Sequence, residues 1–199
     1  MARMKKRMTG VILSGGKSLR MGHDKAFLEI GGLPMIERIL RVLRALFEET
    51  LIVTNEIDPY RRFDTSIYSD AIPDRGALGG LYTGLLFSSF DASFCVGCDM
   101  PFLNPSLISY LSDRIEGHDS VVPRTADGLQ PLHAVYSRNC LDAIRRVLEE
   151  KKDKVTDFYP LVNVKVIPES AFSFLAGWKE SFLNINTPED LDQAKTRDP

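Results

Sequence analysis

The sequence predicts a three-layer α/β fold in which helices cover both faces of a mostly parallel sheet. Short apolar runs of strand length alternate along the chain with longer segments whose apolar residues recur at helical spacing. The short runs are nearly continuous in apolar residues, which is typical of strands buried in a parallel sheet. With 199 residues, 44% of them hydrophobic, the chain suits one such domain. We therefore expect a single domain over residues 1–199, with residues 1–7 as a basic N-terminal tail.

The first 100 residues are predicted to form four strands and two helices. The first apolar run leads directly into Gly15 and Gly16. After Pro34, apolar residues recur every three to four positions, and proline is favoured at the first position of a helix. The predicted strands cover residues 8–14, 51–55, 66–70 and 93–99, and the predicted helices cover residues 34–47 and 77–90.

The second half of the chain continues the alternation less regularly. Residues 150–181 carry no motif, although residues 162–168 are typical of an edge strand. A strand at residues 183–186 is predicted to lead into a C-terminal helix, because Thr187 suits an N-cap and Pro188 a first helical position. Further helices are predicted at residues 105–115 and 140–150, and further strands at residues 119–123 and 132–137.

Charge and hydropathy argue against several classes of function. The formal net charge is only -2, so the chain lacks the basic surface that nucleic-acid binding requires. No apolar run approaches the roughly 20 residues of a membrane-spanning helix. Residues 1–7 also lack the apolar core of a secretory signal. We therefore expect a cytoplasmic protein that binds neither nucleic acid nor membrane.

The three cysteines are Cys95, Cys98 and Cys140, and the first two form a CxxC pair. In redox proteins this motif opens a helix, whereas here it lies at the end of a predicted buried strand. A zinc site would need a second pair of cysteines or histidines at suitable spacing. We interpret the cysteines as small buried apolar residues in a reducing compartment. Redox or zinc chemistry at the CxxC pair is the alternative.

The loop after the first strand is suited to a polyphosphate. Gly15 and Gly16 let backbone N–H groups approach an anion, because no Cβ blocks the way. Lys17, Arg20 and Lys25 add positive charge for phosphate oxygens. The loop matches neither the Walker A motif, which would need a glycine at residue 11, nor the dinucleotide fingerprint. An ordinary connecting loop with solvated lysines is the alternative.

The stretch LSGGKSLRMGHDK, residues 13–25, resembles the signature of nucleotidyltransferases of the glycosyltransferase-A type. It is most similar to the molybdenum cofactor guanylyltransferase family. Further matches are Asp70, GALGG at 76–80, CDMPFL at 98–103, QPLHAVY at 130–136 and NINTPEDL at 184–191. The resemblance implies a Rossmann-like nucleotidyltransferase fold. It also implies transfer of GMP from GTP to the terminal phosphate of molybdopterin, with release of pyrophosphate.

The resemblance also implies where the nucleotide and metal bind. Asp99 ends a predicted buried strand and is expected to bind Mg²⁺, for which Mn²⁺ can substitute; a helix-capping role is the alternative. Similar cytidylyltransferases carry alanine at the position of Gly15, which favours GTP here. The implied catalytic residues are Lys25, Asp99 and Arg20. The implied nucleotide-binding residues are Leu13, Ser14, Gly15, Gly16, Lys25, Asn55, Asp70 and Asp99.

The acceptor side is implied by the last two matching segments. Asn184, Asn186 and Gln130 are expected to border the pterin. Side chains alternate between the two faces of a strand, so one of the two asparagines is expected to face the ligand. Capping asparagines in a turn are the alternative. We expect His133 to be structural rather than catalytic.

A phosphate nucleophile is already ionised near neutral pH, so no general base is expected. The implied partners are GTP, molybdopterin and, transiently, chaperones or insertion proteins of molybdoenzymes, and we expect a monomer. Alternative enzymatic functions are a molybdopterin cytidylyltransferase or another small-molecule nucleotidyltransferase. The non-enzymatic alternative is a GTP-binding sensor domain.

Overall fold

A computed structural model describes residues 4–15 and 25–197, with side chains as far as Thr196. The first half contains β1 (Lys6–Leu13), β2 (Glu29–Ile30), β3 (Leu33–Pro34), α1 (Met35–Leu46), β4 (Phe47–Val53), β5 (Ser66–Tyr68), α2 (Gly76–Phe87) and β6 (Ala92–Gly97). The second half contains α3 (Pro105–Ser112), β7 (Ser120–Thr125), β8 (Gly128–Leu129), β9 (His133–Ser137), α4 (Cys140–Glu149), β10 (Val164–Pro168) and α5 (Pro188–Arg197).

The main sheet has the strand order β10-β7-β9-β6-β1-β4-β5, and β8 pairs with β7. Strand β1 is parallel to both β4 and β6, and β5 is parallel to β4. Strand β9 is antiparallel to both of its neighbours, β6 and β7. The prediction of a mostly parallel sheet is therefore confirmed, with β9 as the reversed strand inside it. Strands β2 and β3 form a separate ribbon.

Two apolar clusters lie on opposite faces of this sheet. Helices α1 and α3 contribute to one cluster, and α2 and α4 contribute to the other. Strand β1 supplies both, because Ile12 belongs to the first cluster whereas Val11 and Leu13 belong to the second. This is the side-chain alternation of a strand covered on both faces. The predicted three-layer arrangement is confirmed.

Helix α2 lies unusually close to the sheet. A Cβ atom at Gly84 would lie 2.5 Å from Cγ1 of Val11 in β1. Real Cβ atoms do not approach that closely, so glycine at this position permits the packing of α2 on β1. The helix predicted at residues 77–90 despite its glycines is confirmed.

Two predicted boundaries and one predicted strand are wrong. Strand β1 begins at Lys6, so the basic tail is shorter than the predicted residues 1–7. Phe47 opens β4 instead of ending α1. Residues 183–186 form no strand, because their N–H groups have other partners: Ile185 donates to the carbonyl oxygen of Asp99, and Asn186 donates to the carboxylate of Asp190.

The segment without a motif is ordered by aromatic packing. Phe158 is fully buried, and the hydroxyl group of Tyr159 lies 2.9 Å from that of Tyr136 in β9. Trp178 packs edge-on against Phe172. The edge strand predicted within residues 162–168 is confirmed as β10, which pairs with β7 alone. Within residues 4–15 and 25–197, no helix is long and apolar enough to cross a membrane.

Candidate functional site

The candidate site lies at the carboxyl ends of the parallel strands. Because β1, β4, β5 and β6 run in the same direction, the residues that follow them meet at one edge of the sheet. This edge is where open α/β sheets bind ligands. It brings together Ser14 and Gly15 after β1, Asn55 after β4, Asp70 after β5 and Asp99 after β6.

The first turn is anchored by β4 and β6. The Ser14 N–H donates to the carbonyl oxygen of Val53 at 2.8 Å, and the Cys98 N–H donates to that of Leu13 at 3.0 Å. The buried Ser14 hydroxyl lies 2.5 Å from the hydroxyl of Tyr60. Ser14 therefore supports the turn with its side chain, and the sequence did not predict this aromatic partner.

Gly15 is exposed at the start of the glycine loop. A Cβ atom there would meet no described atom within 4 Å, so packing among the described residues does not require glycine at this position. Two predicted site residues, Gly16 and Arg20, lie outside the described residues.

Asn55 and Asp70 form a reciprocal pair. The Asn55 amide donates to Oδ2 of Asp70 at 2.9 Å, and the Asp70 N–H donates to Oδ1 of Asn55 at 3.0 Å. A Cβ atom at Gly80 would lie 3.8 Å from Oδ1 of Asp70. The pair thus fixes the Asp70 carboxylate near Gly80 of α2. Asn55 supports Asp70 in this arrangement, and the predicted contact of Asn55 with the nucleotide stays a prediction.

Asp99 lies just beyond the end of β6, where the chain turns towards Met100. Burial raises the pKa of this carboxyl group above its ordinary value, while its own backbone N–H and the nearby Lys25 charge lower it. A Cβ atom at Gly97 would lie 2.6 Å from Oδ1 of Asp99, so the carboxylate lies directly over a glycine. A partly buried carboxylate of this kind favours a cation that compensates for its lost hydration.

Among the described residues, Lys25 is the cation whose charge acts on Asp99. Its ammonium group donates to the carbonyl oxygen of Asn186 at 3.0 Å and to Oδ1 of Asn186 at 3.2 Å. Asn184, in contrast, donates to the carbonyl oxygen of Phe182 at 3.3 Å. Of the two asparagines, Asn186 is therefore the one that contacts Lys25. The structure brings Lys25, Asp99 and Asn186 together although they are distant in sequence.

Gln130 and His133 are placed differently from that cluster. The Gln130 amide donates to the Thr125 hydroxyl at 3.0 Å, and no hydrogen bond among the described residues joins it to Lys25 or Asp99. His133 is fully buried, packs edge-on against Phe94, and lies 3.4 Å from the Ser181 hydroxyl. Burial lowers the pKa of His133 to about 3. A neutral ring enclosed in this way is structural, as predicted.

The residues around Asp99 fit a hard divalent cation. Mg²⁺ prefers oxygen ligands and commonly binds one or two carboxylates together with substrate phosphates. Within the described part of the chain, no group of three or more His, Cys, Asp or Glu side chains could hold a metal. A cation at Asp99 would therefore draw its remaining ligands from substrate and water.

Two of the three cysteines lie in the apolar interior. Cys95 of the CxxC pair is fully buried in β6 and Cys140 is buried, whereas Cys98 is partly buried. Burial raises the pKa of Cys95, and raises that of Cys140 to about 12. Thiols held protonated in this way are poor nucleophiles and metal ligands. The interpretation of the cysteines as buried apolar residues is therefore confirmed for Cys95 and Cys140 but not for the partly buried Cys98.

Comparison with known proteins identifies the family. The model of the MobA-like NTP transferase domain matches residues 10–160. A probable molybdenum cofactor guanylyltransferase from Pelotomaculum thermopropionicum is 43% identical, covering 94% of this chain and 91% of that protein. A molybdenum cofactor guanylyltransferase from Desulfosudis oleivorans is 35% identical, with 94% of each chain covered. The crystal structure of molybdopterin-guanine dinucleotide biosynthesis protein A from Archaeoglobus fulgidus matches with a TM-score of 0.83 at 25% identity, covering 96% of this chain and 98% of that one. The resemblance in the glycine-rich signature is thereby confirmed, and the chain belongs to the family of MobA-like NTP transferases.

Proposed function

We propose that this nucleotidyltransferase transfers GMP from GTP to the terminal phosphate of molybdopterin and releases pyrophosphate. The observation that carries the proposal is the convergence of Lys25, Asp99 and Asn186 beside the glycine turn. Relatives that span nearly the whole chain are named molybdenum cofactor guanylyltransferases.

The chain's own residues divide into three roles in this proposal. The backbone at Ser14 and Gly15 borders the nucleotide, and the open side of Gly15 leaves room for it. Asp70 has one carboxylate oxygen engaged by Asn55, so Oδ1 is the oxygen that accepts hydrogen bonds from the nucleoside. Lys25 holds the phosphates. Arg20 and Gly16 would extend the same phosphate-binding loop.

Asp99 would hold Mg²⁺ or Mn²⁺. The cation, when bound, neutralises phosphate charge that develops during transfer. The carboxylate must be ionised to serve as its ligand. Burial raises the Asp99 pKa above its ordinary value, and the Lys25 charge offsets part of that rise.

The reaction needs positioning more than proton transfer. A phosphate oxygen of the acceptor forms a bond to the α-phosphorus of GTP, and the bond from that phosphorus to the β-phosphate oxygen breaks. Because the acceptor phosphate is largely ionised near neutral pH, no side chain has to remove a proton. The lowered pKa of buried His133 agrees with this scheme, since that ring has no part in it. Lys25 and the backbone of the turn act by orientation and charge stabilisation.

The test measures pyrophosphate release from GTP, CTP, ATP or UTP with Mg²⁺ and molybdopterin. We expect release with GTP, and a rate loss of about 10²–10³-fold in Asp99→Asn, by analogy with the removal of one electrostatic contact. The matched control is Asp91→Asn, just before the opposite end of β6, which we expect to retain wild-type activity. Preference for CTP would instead favour a cytidylyltransferase. Nucleotide binding without any release would favour the GTP-binding sensor.

A further inference from the structure

The amino end of α5 carries a carboxylate with more partners than a helix cap requires. Asp190 accepts hydrogen bonds from the N–H groups of Asn186 and Thr187, both at 2.9 Å. Its own N–H donates to the Thr187 hydroxyl at 3.1 Å. The exchange between Thr187 and Asp190 is a reciprocal cap of the helix. The bond from Asn186 is additional, because that residue precedes the cap.

This extra bond fixes the residue that holds Lys25. Both oxygen atoms of Asn186 accept from the Lys25 ammonium group, at 3.0 Å and 3.2 Å. The preceding residue, Ile185, donates its N–H to the carbonyl oxygen of Asp99 at 2.9 Å. Residues 185 and 186 therefore connect the end of β6 to Lys25. The carboxylate of Asp190 holds this connection in place by accepting a hydrogen bond from the N–H group of Asn186.

The charge of Lys25 acts on two carboxylates, those of Asp99 and Asp190. The N–H group of Asn186 is the largest influence that lowers the pKa of Asp190, followed by that of Thr187, and Lys25 lowers it further. Lys25 also lowers the pKa of Asp99. Apolar packing holds the neighbouring residue, because Ile185 and Ala194 of α5 are buried in one cluster with Ile30 and Met35. Asn186 itself is exposed, so its N–H group and its side chain are held by polar contacts.

We propose that Asp190 is a positioning residue, which acts through Asn186 to hold Lys25 where its ammonium group meets the nucleotide phosphates. The inference rests on the proposed function, since it assigns the phosphates to Lys25. Asp190 itself does not touch the substrate. The competing explanation is that Asp190 only caps α5, in which case its loss would act through helix stability alone.

Three variants separate these explanations. Asp190→Asn removes the charge that organises residue 186. Thr187→Ala removes the hydroxyl of the cap while keeping the carboxylate. Glu189→Gln makes the same charge change one residue away, on a side chain exposed to solvent. We expect kcat/KM for GTP to fall about tenfold in Asp190→Asn, as is typical when a supporting contact behind a ligand-binding group is lost. We expect less than about a twofold change in the other two.

The coupling to Lys25 is tested by a double-mutant cycle on GTP binding. If Asp190 acts through Lys25, Asp190→Asn will weaken binding in the wild-type background and have little further effect in the Lys25→Ala background. Equal losses in both backgrounds, or equal losses of activity in Asp190→Asn and Thr187→Ala, would overturn the proposal in favour of simple capping.

A third measurement does not depend on the reaction. Acetylation of lysines by acetic anhydride, followed by mass spectrometry, reports how firmly the Lys25 amine is held, with exposed Lys5 as the internal reference. We expect Lys25 to react several-fold faster in Asp190→Asn than in wild type, because its acceptors are released. Unchanged labelling would overturn the positioning role. Absence of GMP transfer in wild type, with labelling as expected, would instead overturn the proposed function alone.

Discussion

At the scale of single residues, Gly15 is exposed to solvent, and the described atoms leave room where its side chain would lie. The buried Ser14 before it is tied to β4 and Tyr60, so the backbone that presents Gly15 is fixed. No described atom lies within 4 Å of the place where its Cβ would be. Packing among the described residues therefore leaves this position open to a side chain, and we expect a change at Gly15 to affect nucleotide recognition without affecting folding.

We predict that Gly15→Ala keeps the wild-type melting temperature and reduces the preference for GTP over CTP about tenfold, the effect of one carbon atom in a fitted pocket. Calorimetric titration of both nucleotides with Mg²⁺ measures the preference. A lower melting temperature would show that the glycine is needed for folding. An unchanged preference would show that other residues select the base.

The sequence predicted the positions of the candidate residues best where they follow a recognisable strand. The place of Asp99 could be predicted because a carboxylate directly after a buried apolar run needs a partner. Asp190 was not among the candidate residues, although the Thr187–Asp190 spacing matches a cap. Its bond to Asn186 and the Ser14–Tyr60 contact depend on chain segments meeting in three dimensions, which no local pattern encodes.

At the scale of elements, the close approach of α2 to β1 depends on Gly84. Helices built around glycine usually lose stability, because glycine is about 1 kcal/mol less favourable than alanine in a helix. Here the lack of a side chain at Gly84 lets the helix lie against Val11. Leu78, Leu81 and Leu85 then pack in the core on that face of the sheet. The packing contact thus outweighs the low helix propensity.

Gly84→Ala should therefore destabilise the fold. The added methyl group would lie 2.5 Å from Val11, and overpacking of this kind costs about 1–3 kcal/mol, which exceeds the gain in helix propensity. Gly80→Ala is the matched control, since its methyl group would lie at an ordinary 3.5 Å from Leu13. Urea unfolding should show a lower free energy of unfolding for the first variant and none of that loss for the second.

Most elements could be predicted because strands and helices leave different apolar periods in the sequence. The failure at residues 183–186 has a physical cause. Alternating Leu, Asn, Ile and Asn residues match a half-buried strand, and Ile185 is indeed buried between two exposed asparagines. The backbone, however, bonds to Asp99 and Asp190 instead of to a neighbouring strand. The start of β4 at Phe47 was missed because its apolar side chain also continued the helical pattern.

At the scale of the whole molecule, the main sheet and the C-terminal segment meet at His133. The ring packs between Phe94 of β6 and Phe182, which belong to the cluster on one face of the sheet. Its Nδ1 atom has no hydrogen-bond partner among the described residues. Because the folded state keeps this ring neutral, protonation of the unfolded chain should control part of the acid stability of the protein.

The pKa of His133 falls from 6.5 to about 3 on folding. Above pH 6.5 the ring is neutral in both the folded and the unfolded chain, so it does not reduce the free energy of unfolding. Below pH 6.5 the unfolded chain takes up a proton that the folded chain does not, and the free energy of unfolding falls by about 2 kcal/mol at pH 5. We predict that His133→Leu, which is close in volume, gains about that much stability relative to wild type between pH 8 and pH 5. Unfolding by urea at both values measures the difference. Parallel losses in the two proteins would mean that the folded ring accepts a proton.

The reversed direction of β9 has a consequence for how the molecule could be altered. Because β9 runs against β6, the turn that precedes β9 lies beside the end of β6, and the Gly97 N–H donates to the carbonyl oxygen of Leu132 at 3.2 Å. The parallel strands carry the predicted nucleotide-binding residues, whereas this turn lies on the other side of β6. A turn can be lengthened or exchanged without shifting the register of the strands that it connects. We therefore expect that this turn can be varied while the nucleotide side of the sheet keeps its structure.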